Sequence, residues 1–407
     1  MAQATHVSPA TEFDPQLGHG FLHFPAEAAR QLSATGDAIR PGLKSREPYV
    51  FAIQTGEGRF RVSARFEGPS EQAGITIKAE SRRLMVHEPD LHLDSEQTRE
   101  LRFVTDVRTP TLDQGGKVQL NSREEGVWHW DDLLQIEIHS DTVLHSLTVE
   151  RVDDLPVLFL MGDSTVTDQT TEPWTGWGQM LPVFFKPTLV IANHAESGET
   201  LRQFRAQRRL EKIMDTLKPG DFVMLQFGHN DMKESGEGIG PMQSYADDLR
   251  YFVKHLRGRG AQPLLVTSMK RRRFDEQGRQ YATLGDYPLA VRKVAAELAI
   301  PLIDLNLMSG VLFAALGPEG SKQAFVHYPA GSFPGQDEAL RDDSHFSPYG
   351  GYALANCVVE AIKIACPELA QHLRKDLKLY DPASPTKPDS LHIPASPRAS
   401  VQAPEGS

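Results

Sequence analysis

Two hydrophobic rhythms divide the chain near Asp153-Asp154. Before that point apolar and polar residues alternate in short runs. Phe60, Val62, Ala64 and Phe66 form one series, Ile75, Ile77 and Ala79 a second, Leu101, Phe103, Thr105 and Val107 a third, and Leu134, Ile136 and Ile138 a fourth. Period-two alternation interrupted by Gly, Pro and Asp clusters predicts half-buried antiparallel strands, and so many short ones predict an all-β sandwich over residues 47–153. Residues 1–46 lack this rhythm and read as an irregular segment.

After the boundary the strands become continuous apolar runs. Pro156-Val157-Leu158-Phe159-Leu160-Met161 is the first, and similar runs lie at Thr188–Ala192, Phe222–Leu225, Pro263–Thr267 and Pro301–Leu305. Such runs suit strands covered on both faces. Helical stretches alternate with them. Leu201, Phe204, Leu210, Ile213 and Leu217 mark one apolar side; Val291, Val294, Ala295 and Leu298 mark another, with Asp286 as a cap and Pro288 in the first turn. A last helix is expected from about Ser347 to Ala365. Strand–helix alternation predicts a three-layer α/β domain with a doubly wound parallel sheet over 154–380. The segment 381–407, with six prolines among Ser and Ala, reads as a disordered tail.

Composition narrows the function classes. The 407 residues are 40% hydrophobic and 24% charged, ordinary for a globular protein, and the net charge of -11 argues against nucleic acid or an anionic membrane as the main partner. No run reaches membrane-spanning length. The start, Met1-Ala2-Gln3-Ala4-Thr5-His6, has neither a charged region nor an apolar signal core, so the expected location is cytoplasmic, or extracellular or periplasmic if a signal has been removed. Cys357 and Cys366 lie about 13 Å apart on one helix, too far for a disulfide, and read as buried thiols. No metal-type Cys/His spacing occurs, so no metal is expected, and oligomeric state is left open.

Four short segments carry the chemistry. Gly162-Asp163-Ser164-Thr165 directly follows the first buried strand, where doubly wound sheets bind ligands. Gly-Asp-Ser is also a common turn sequence. Asp342-Asp343-Ser344-His345 lies near the end of the domain, and a serine hydroxyl needs such a base, with a carboxylate to orient it. The same string could cap the last helix through Asp342 or Ser344. Gly228-His229-Asn230-Asp231 and Asn193-His194-Ala195-Glu196-Ser197-Gly198 each follow a buried strand. Asn230 offers a side-chain NH₂ to an oxyanion and Gly198 a backbone N–H. Together they amount to a nucleophile, a base with its carboxylate, and an oxyanion hole, the parts for serine-based acyl transfer.

These blocks resemble the SGNH (GDSL-type) hydrolases over about residues 156–366: Ser164, Gly198, Asn230 and His345 match the four letters in order. Gly162–Asp168, Gly176–Pro182, Phe227–Asp231 and Asp342–Phe346 are similar to the rhamnogalacturonan acetylesterase branch. The resemblance implies a triad of Ser164, His345 and Asp342, an oxyanion hole from the Ser164 and Gly198 amides and the Asn230 side chain, no cofactor, and removal of acetyl groups from pectic rhamnogalacturonan, an acetylated polysaccharide or oligosaccharide being the partner. It also implies that the first domain is a galactose-binding-type sandwich. Related enzymes act on other acetylated glycans such as xylan.

Further residues are candidates for glycan contact. Lys270-Arg271-Arg272-Arg273 follows the fourth strand, and Arg271, Arg272 and Arg273 could pair with uronate carboxylates, though a solvated loop explains them as well. Trp174 and Trp177 follow Ser164 closely, and His229 precedes Asn230; aromatic faces suit sugars but also suit cores. Trp128 and Trp130, at alternating spacing, are expected on one face of a strand, in the core.

Overall fold

Alternation builds the first unit. In a computed structural model that describes residues 12–23, 43–70, 74–398, 400 and 402–405, seven strands form one antiparallel sheet: β1 (His19–His23), β2 (Leu43–Gln54), β3 (Gly58–Glu67), β4 (Ile75–Ala79), β5 (Arg83–Glu88), β6 (Thr98–Val107) and β7 (Leu133–Arg151). The order is β1-β2-β7-β3-β6, with β4 pairing both β5 and β7. On β3, Phe60, Val62, Ala64 and Phe66 are buried while Arg61, Ser63 and Arg65 between them are not, as a period of two requires. They join Tyr49, Ile77, Leu101, Phe103, Leu134, Ile136 and Ile138 in one apolar cluster. The first half of β7 lies between β2 and β4, and its second half runs along β3.

Two expectations for this region are corrected. The segment read as irregular contains β1 and the start of β2; β1 is short, and its alternation is masked by Gly20 and two histidines. Trp128 and Trp130 do not alternate along a strand. They open and close one turn of 3₁₀ helix, in which buried Trp130 donates from Nε1 to Glu124 at 2.9 Å and lies 4.5 Å beneath the Arg108 guanidinium.

The second unit is the α/β part. Strands β8 (Val157–Gly162), β9 (Val190–Asn193), β10 (Phe222–Gln226), β11 (Gln262–Val266) and β12 (Leu302–Ile303) form a parallel sheet in the order β12-β11-β10-β8-β9. Counted within this unit the order is 2-1-3-4-5, so the winding reverses between β8 and β10, the point at whose carboxyl ends doubly wound sheets bind ligands. A two-stranded hairpin, β13 (Phe325–Tyr328) with β14 (Leu340–Phe346), completes the strands.

The helices follow local signals with two departures. The predicted helix after β9 is two, Leu201–Ala206 and Arg209–Thr216, split where Arg208 adopts a left-handed φ of 66°. Asp286 does occupy the cap position of Tyr287–Glu297, yet its side chain makes no capping bond. The predicted C-terminal helix, Pro348–Ala365, begins where Ser347 accepts from the Gly350 N–H at 3.2 Å. Ser347 therefore does the capping, and Asp342 is left for other work. Cys357 and Cys366 are both free and buried. No helix among the described residues is long and apolar enough to cross a membrane.

The chain groups into two units: Met1–Thr109 with Glu124–Asp154 and His392–Pro397, and Pro110–Arg123 with Leu155–Leu391 and Arg398–Ser407. The proline-rich segment after Asp381, expected to be disordered, finds partners. Thr386 accepts from the Tyr349 hydroxyl at 2.8 Å, and Pro394 accepts from Lys78 Nζ at 2.6 Å. Ser396 accepts from Lys78 and donates to Glu137. Proline removes a donor but leaves a carbonyl, and here the carbonyls are used.

Candidate active site

Ser164 stands just past the carboxyl end of β8, at the reversal of winding. The turn is tight because Gly162 has no side chain: a Cβ there would lie 2.5 Å from Val166 and 2.9 Å from the Gln226 carbonyl. Asp163 fixes the next residue, accepting from Thr165 N–H at 3.0 Å and its hydroxyl at 2.6 Å. Gln169 donates to the Ser164 carbonyl at 2.8 Å, and Gln226 donates to the Thr165 hydroxyl at 2.8 Å. The serine therefore sits on a fully buried polar support. Gln169 and Gln226 escaped notice in the sequence; the one available signal was a glutamine ending the apolar run of β10.

Asp342 and His345 arrive from β14. On a regular strand residues i and i+3 face opposite sides, so Asp342 and His345 could not meet. The hairpin solves this with an irregular register: Val326 pairs with Asp342 while its neighbour Phe325 pairs with Phe346. The intervening residues bulge outward. Asp342 Oδ1 closes the bulge by accepting from Ser344 N–H at 2.7 Å and His345 N–H at 3.0 Å. Oδ2 then meets His345 Nδ1 at 2.7 Å, and His345 Nε2 lies 2.9 Å from Ser164 Oγ. With its proton on Nδ1, the imidazole donates to Asp342 and accepts from the serine hydroxyl.

Electrostatics separate the neighbouring carboxyls. Burial opposes charge on Asp342, but the bond from His345 and the two backbone N–H groups outweigh it and hold this carboxyl below its ordinary value. Burial dominates at Asp163, whose pKa is raised, and at Asp231, pushed up to about 8. Burial, then the Arg271 and His345 charges, lowers buried His229. At neutral pH the arrangement keeps one ionised acid on the imidazole and a neutral Asp231 at the start of the helix Leu201–Ala206.

The other predicted residues divide. Gly198, with φ +80°, lies in the loop after β9, and Asn230 follows β10. Asn230 Nδ2 donates to the Glu199 carbonyl at 3.2 Å, which uses one of its two N–H bonds and braces the Gly198 loop. Buried Asp231 accepts from Leu201 N–H at 3.0 Å on the same loop. Trp174 is buried edge-on to the His345 ring, 6.0 Å between centroids at 87°. Trp177 is not a sugar platform: it is fully buried and donates from Nε1 to Gln226 Oε1 at 2.7 Å. His229 is buried too, its carbonyl accepting from Arg271 Nη2 at 3.2 Å. Arg272 and Arg273 both pair with Asp343, at 2.9 and 3.2 Å, which also meets His327 at 2.8 Å. Burial lowers the Arg271 pKa, and the Asp163 and Asp342 charges oppose that shift.

This geometry can be set beside known proteins. The model of the GDSL-like lipase/acylhydrolase family matches residues 160–350, which hold Ser164, Gly198, Asn230 and His345. Rhamnogalacturonan acetylesterase RhgT of Bacillus subtilis is 39% identical over 218 residues, 53% of this chain and 93% of that protein. The chain belongs to the GDSL-like lipase/acylhydrolase family. The probable rhamnogalacturonan acetylesterase YesY of the same organism is 30% identical over 211 residues, 51% of this chain and 92% of that one. The crystal structure of Bacillus subtilis protein YxiM is 23% identical, with a TM-score of 0.46, covering 88% of this chain and 93% of that chain. For members of this family the parallel five-stranded sheet is the expected hydrolase fold.

Proposed function

We propose that the protein is a carbohydrate esterase that removes O-acetyl groups from pectic rhamnogalacturonan through an acyl-enzyme on Ser164. The observation that carries the reading is the continuous hydrogen-bond relay Asp342–His345–Ser164 at the sheet's switch point. The substrate class rests on similarity to RhgT across nearly the whole of that protein.

In this mechanism Ser164 Oγ attacks the acetyl carbonyl while His345 Nε2 takes its proton. The Ser164 and Gly198 N–H groups and the second N–H of Asn230 Nδ2 hold the oxyanion. One such donor contributes about 2.7–4 kcal/mol of transition-state stabilisation. His345 then protonates the departing sugar oxygen. Water, deprotonated by the same nitrogen, attacks the acetyl-serine, and acetate leaves with Ser164 restored. Trp174 and Arg271 are the candidates for glycan contact that stand nearest this chemistry; Arg271→Ala should weaken activity on uronate-containing polymer and spare an aryl acetate. Residues 47–153 are read as a galactose-binding-like sandwich and 154–380 as the catalytic domain.

Acyl-chain preference tests the reading. Acetyl nitrophenyl ester should be hydrolysed well ahead of octanoyl, and Ser164→Ala should abolish turnover with the fold intact. An octanoyl preference would favour a lipid esterase, and tight glycan binding without turnover would favour a silent binding protein.

A further inference from the structure

The loop that carries Gly198 is flanked by an arginine that the mechanism does not use. Arg123 Nε donates to Glu196 Oε1 at 2.9 Å, and its Nη2 donates to the Ser197 carbonyl. These bonds fix the guanidinium beside the oxyanion loop, and they aim Nη1 at a third partner. That partner is a carboxylate from the chain's own C-terminal segment: Glu405 Oε2 lies 2.5 Å from Arg123 Nη1. The Glu405 side chain also lies on the Gly198 α-carbon, for a Cβ built there would be 2.9 Å from Oε2 and 3.2 Å from the Glu405 Cβ. A carboxylate thus rests against the residue that offers an oxyanion N–H.

The same segment touches the other side of the catalytic residues. Glu172 N–H donates to the Arg398 carbonyl and Ser400 N–H to the Glu172 carbonyl, both at 2.9 Å. Trp174 Nε1 donates to the Ser400 carbonyl at 3.2 Å, while the ring of Trp174 packs on His345. Ser400 thus bonds to Trp174, Glu405 lies against Gly198, and Ser164 is only 1% exposed. The Glu405 pair is open to competition, because its side chain is 70% exposed and exposed ion pairs are weak.

We propose that Arg123 forms an anionic subsite for the carboxylate of a uronic-acid residue next to the acetylated sugar, and that Glu405 fills this subsite from within the chain when no substrate is bound. The inference rests on the glycan-esterase reading for its ligand but not on turnover for its test. Displacing Glu405 exchanges one carboxylate on Arg123 for another and leaves its bonds to Glu196 and Ser197 in place.

Titration calorimetry with digalacturonate tests this on the full chain, independently of ester hydrolysis. Glu405→Gln should bind the probe about three- to fivefold more tightly than the unaltered protein, the factor expected from removing one exposed competing ion pair. Arg123→Gln should lose the binding, Arg123→Lys should retain part of it, and the methyl-esterified probe should gain nothing from Glu405→Gln. Unchanged affinity in Glu405→Gln, or undiminished affinity in Arg123→Gln, would overturn the subsite. Thermal midpoints monitor the fold; should Arg123→Gln unfold, Glu405→Gln alone decides. Acetate release measured on the same preparations keeps the two ideas apart, since uronate binding without deacetylation overturns the substrate reading and leaves the subsite.

Discussion

Asp342→Asn changes two atoms' worth of hydrogen-bond chemistry and nothing of shape, and its effect can be worked from the distances. Oδ1 of Asp342 accepts from two backbone N–H groups, at 2.7 and 3.0 Å, and Oδ2 accepts from His345 Nδ1 at 2.7 Å. An asparagine has one oxygen for these two positions. Turning its NH₂ toward the backbone would forfeit two bonds and set donor against donor, at about 1–3 kcal/mol for each donor left unpaired. The amide oxygen therefore stays with the backbone, and the NH₂ faces Nδ1. That nitrogen must then accept, which moves the imidazole proton to Nε2, where it blocks transfer from Ser164. A wrong-tautomer base costs roughly 10⁴-fold in kcat, or about 5.5 kcal/mol at the transition state. The assay is steady-state hydrolysis of nitrophenyl acetate, with a thermal melt to show that the fold persists. A kcat within tenfold of the unaltered enzyme, on a folded variant, would refute the role given to Asp342.

Three further outcomes follow from the same packing. Asp231, pushed up to about 8 by burial, holds a proton in the folded state that the unfolded chain releases near pH 4. Its stabilising contribution is present in full below that pH and is lost as pH rises through about 8, so Asp231→Asn, which keeps an oxygen for Leu201 N–H, should gain about 2–5 kcal/mol on the unaltered protein between pH 4 and 9 in urea titrations; a difference independent of pH would contradict the neutral-acid assignment. Trp177→Ala should cost about 3–5 kcal/mol of stability, and Trp177→Phe about 1–3 kcal/mol through the bond lost to Gln226, without raising KM for a glycan ester; a raised KM at unchanged stability would restore Trp177 as a sugar contact. Gly162→Ala should nearly abolish soluble folded enzyme, because its Cβ meets Val166 and the Gln226 carbonyl below 3 Å; normal expression and activity would show that the turn after β8 can relax.

How much of this was legible depended on whether a feature is local. Alternation in Phe60–Phe66 and the apolar runs ending in Met161 and Leu225 are set by which faces are covered, so strands β3, β8 and β10 could be read from spacing. Ser164, Gly198 and Asn230 could be placed at strand ends for the same reason. The bulge in β14 could not, because it depends on the partner strand β13, yet it is what turns Asp342 toward His345. Trp177 looked like a site residue because it is close to Ser164 in sequence, whereas a helix turn carries it into the core. The left-handed Arg208, an unfavourable conformation for a side-chain-bearing residue, has no sequence signature. The tail's composition said that it could not build a core of its own. It could not say that Thr386, Pro394 and Ser396 would find donors on Tyr349 and Lys78.

Deacetylation of a pectic glycan by Ser164 is decided by acetate release from acetylated rhamnogalacturonan and acetylated xylan, side by side with Ser164→Ala as the blank. Release is expected mainly from the pectic polymer, with none from the variant. Release mainly from xylan would keep the chemistry and contradict the substrate, and release by the Ser164→Ala protein would contradict the mechanism itself.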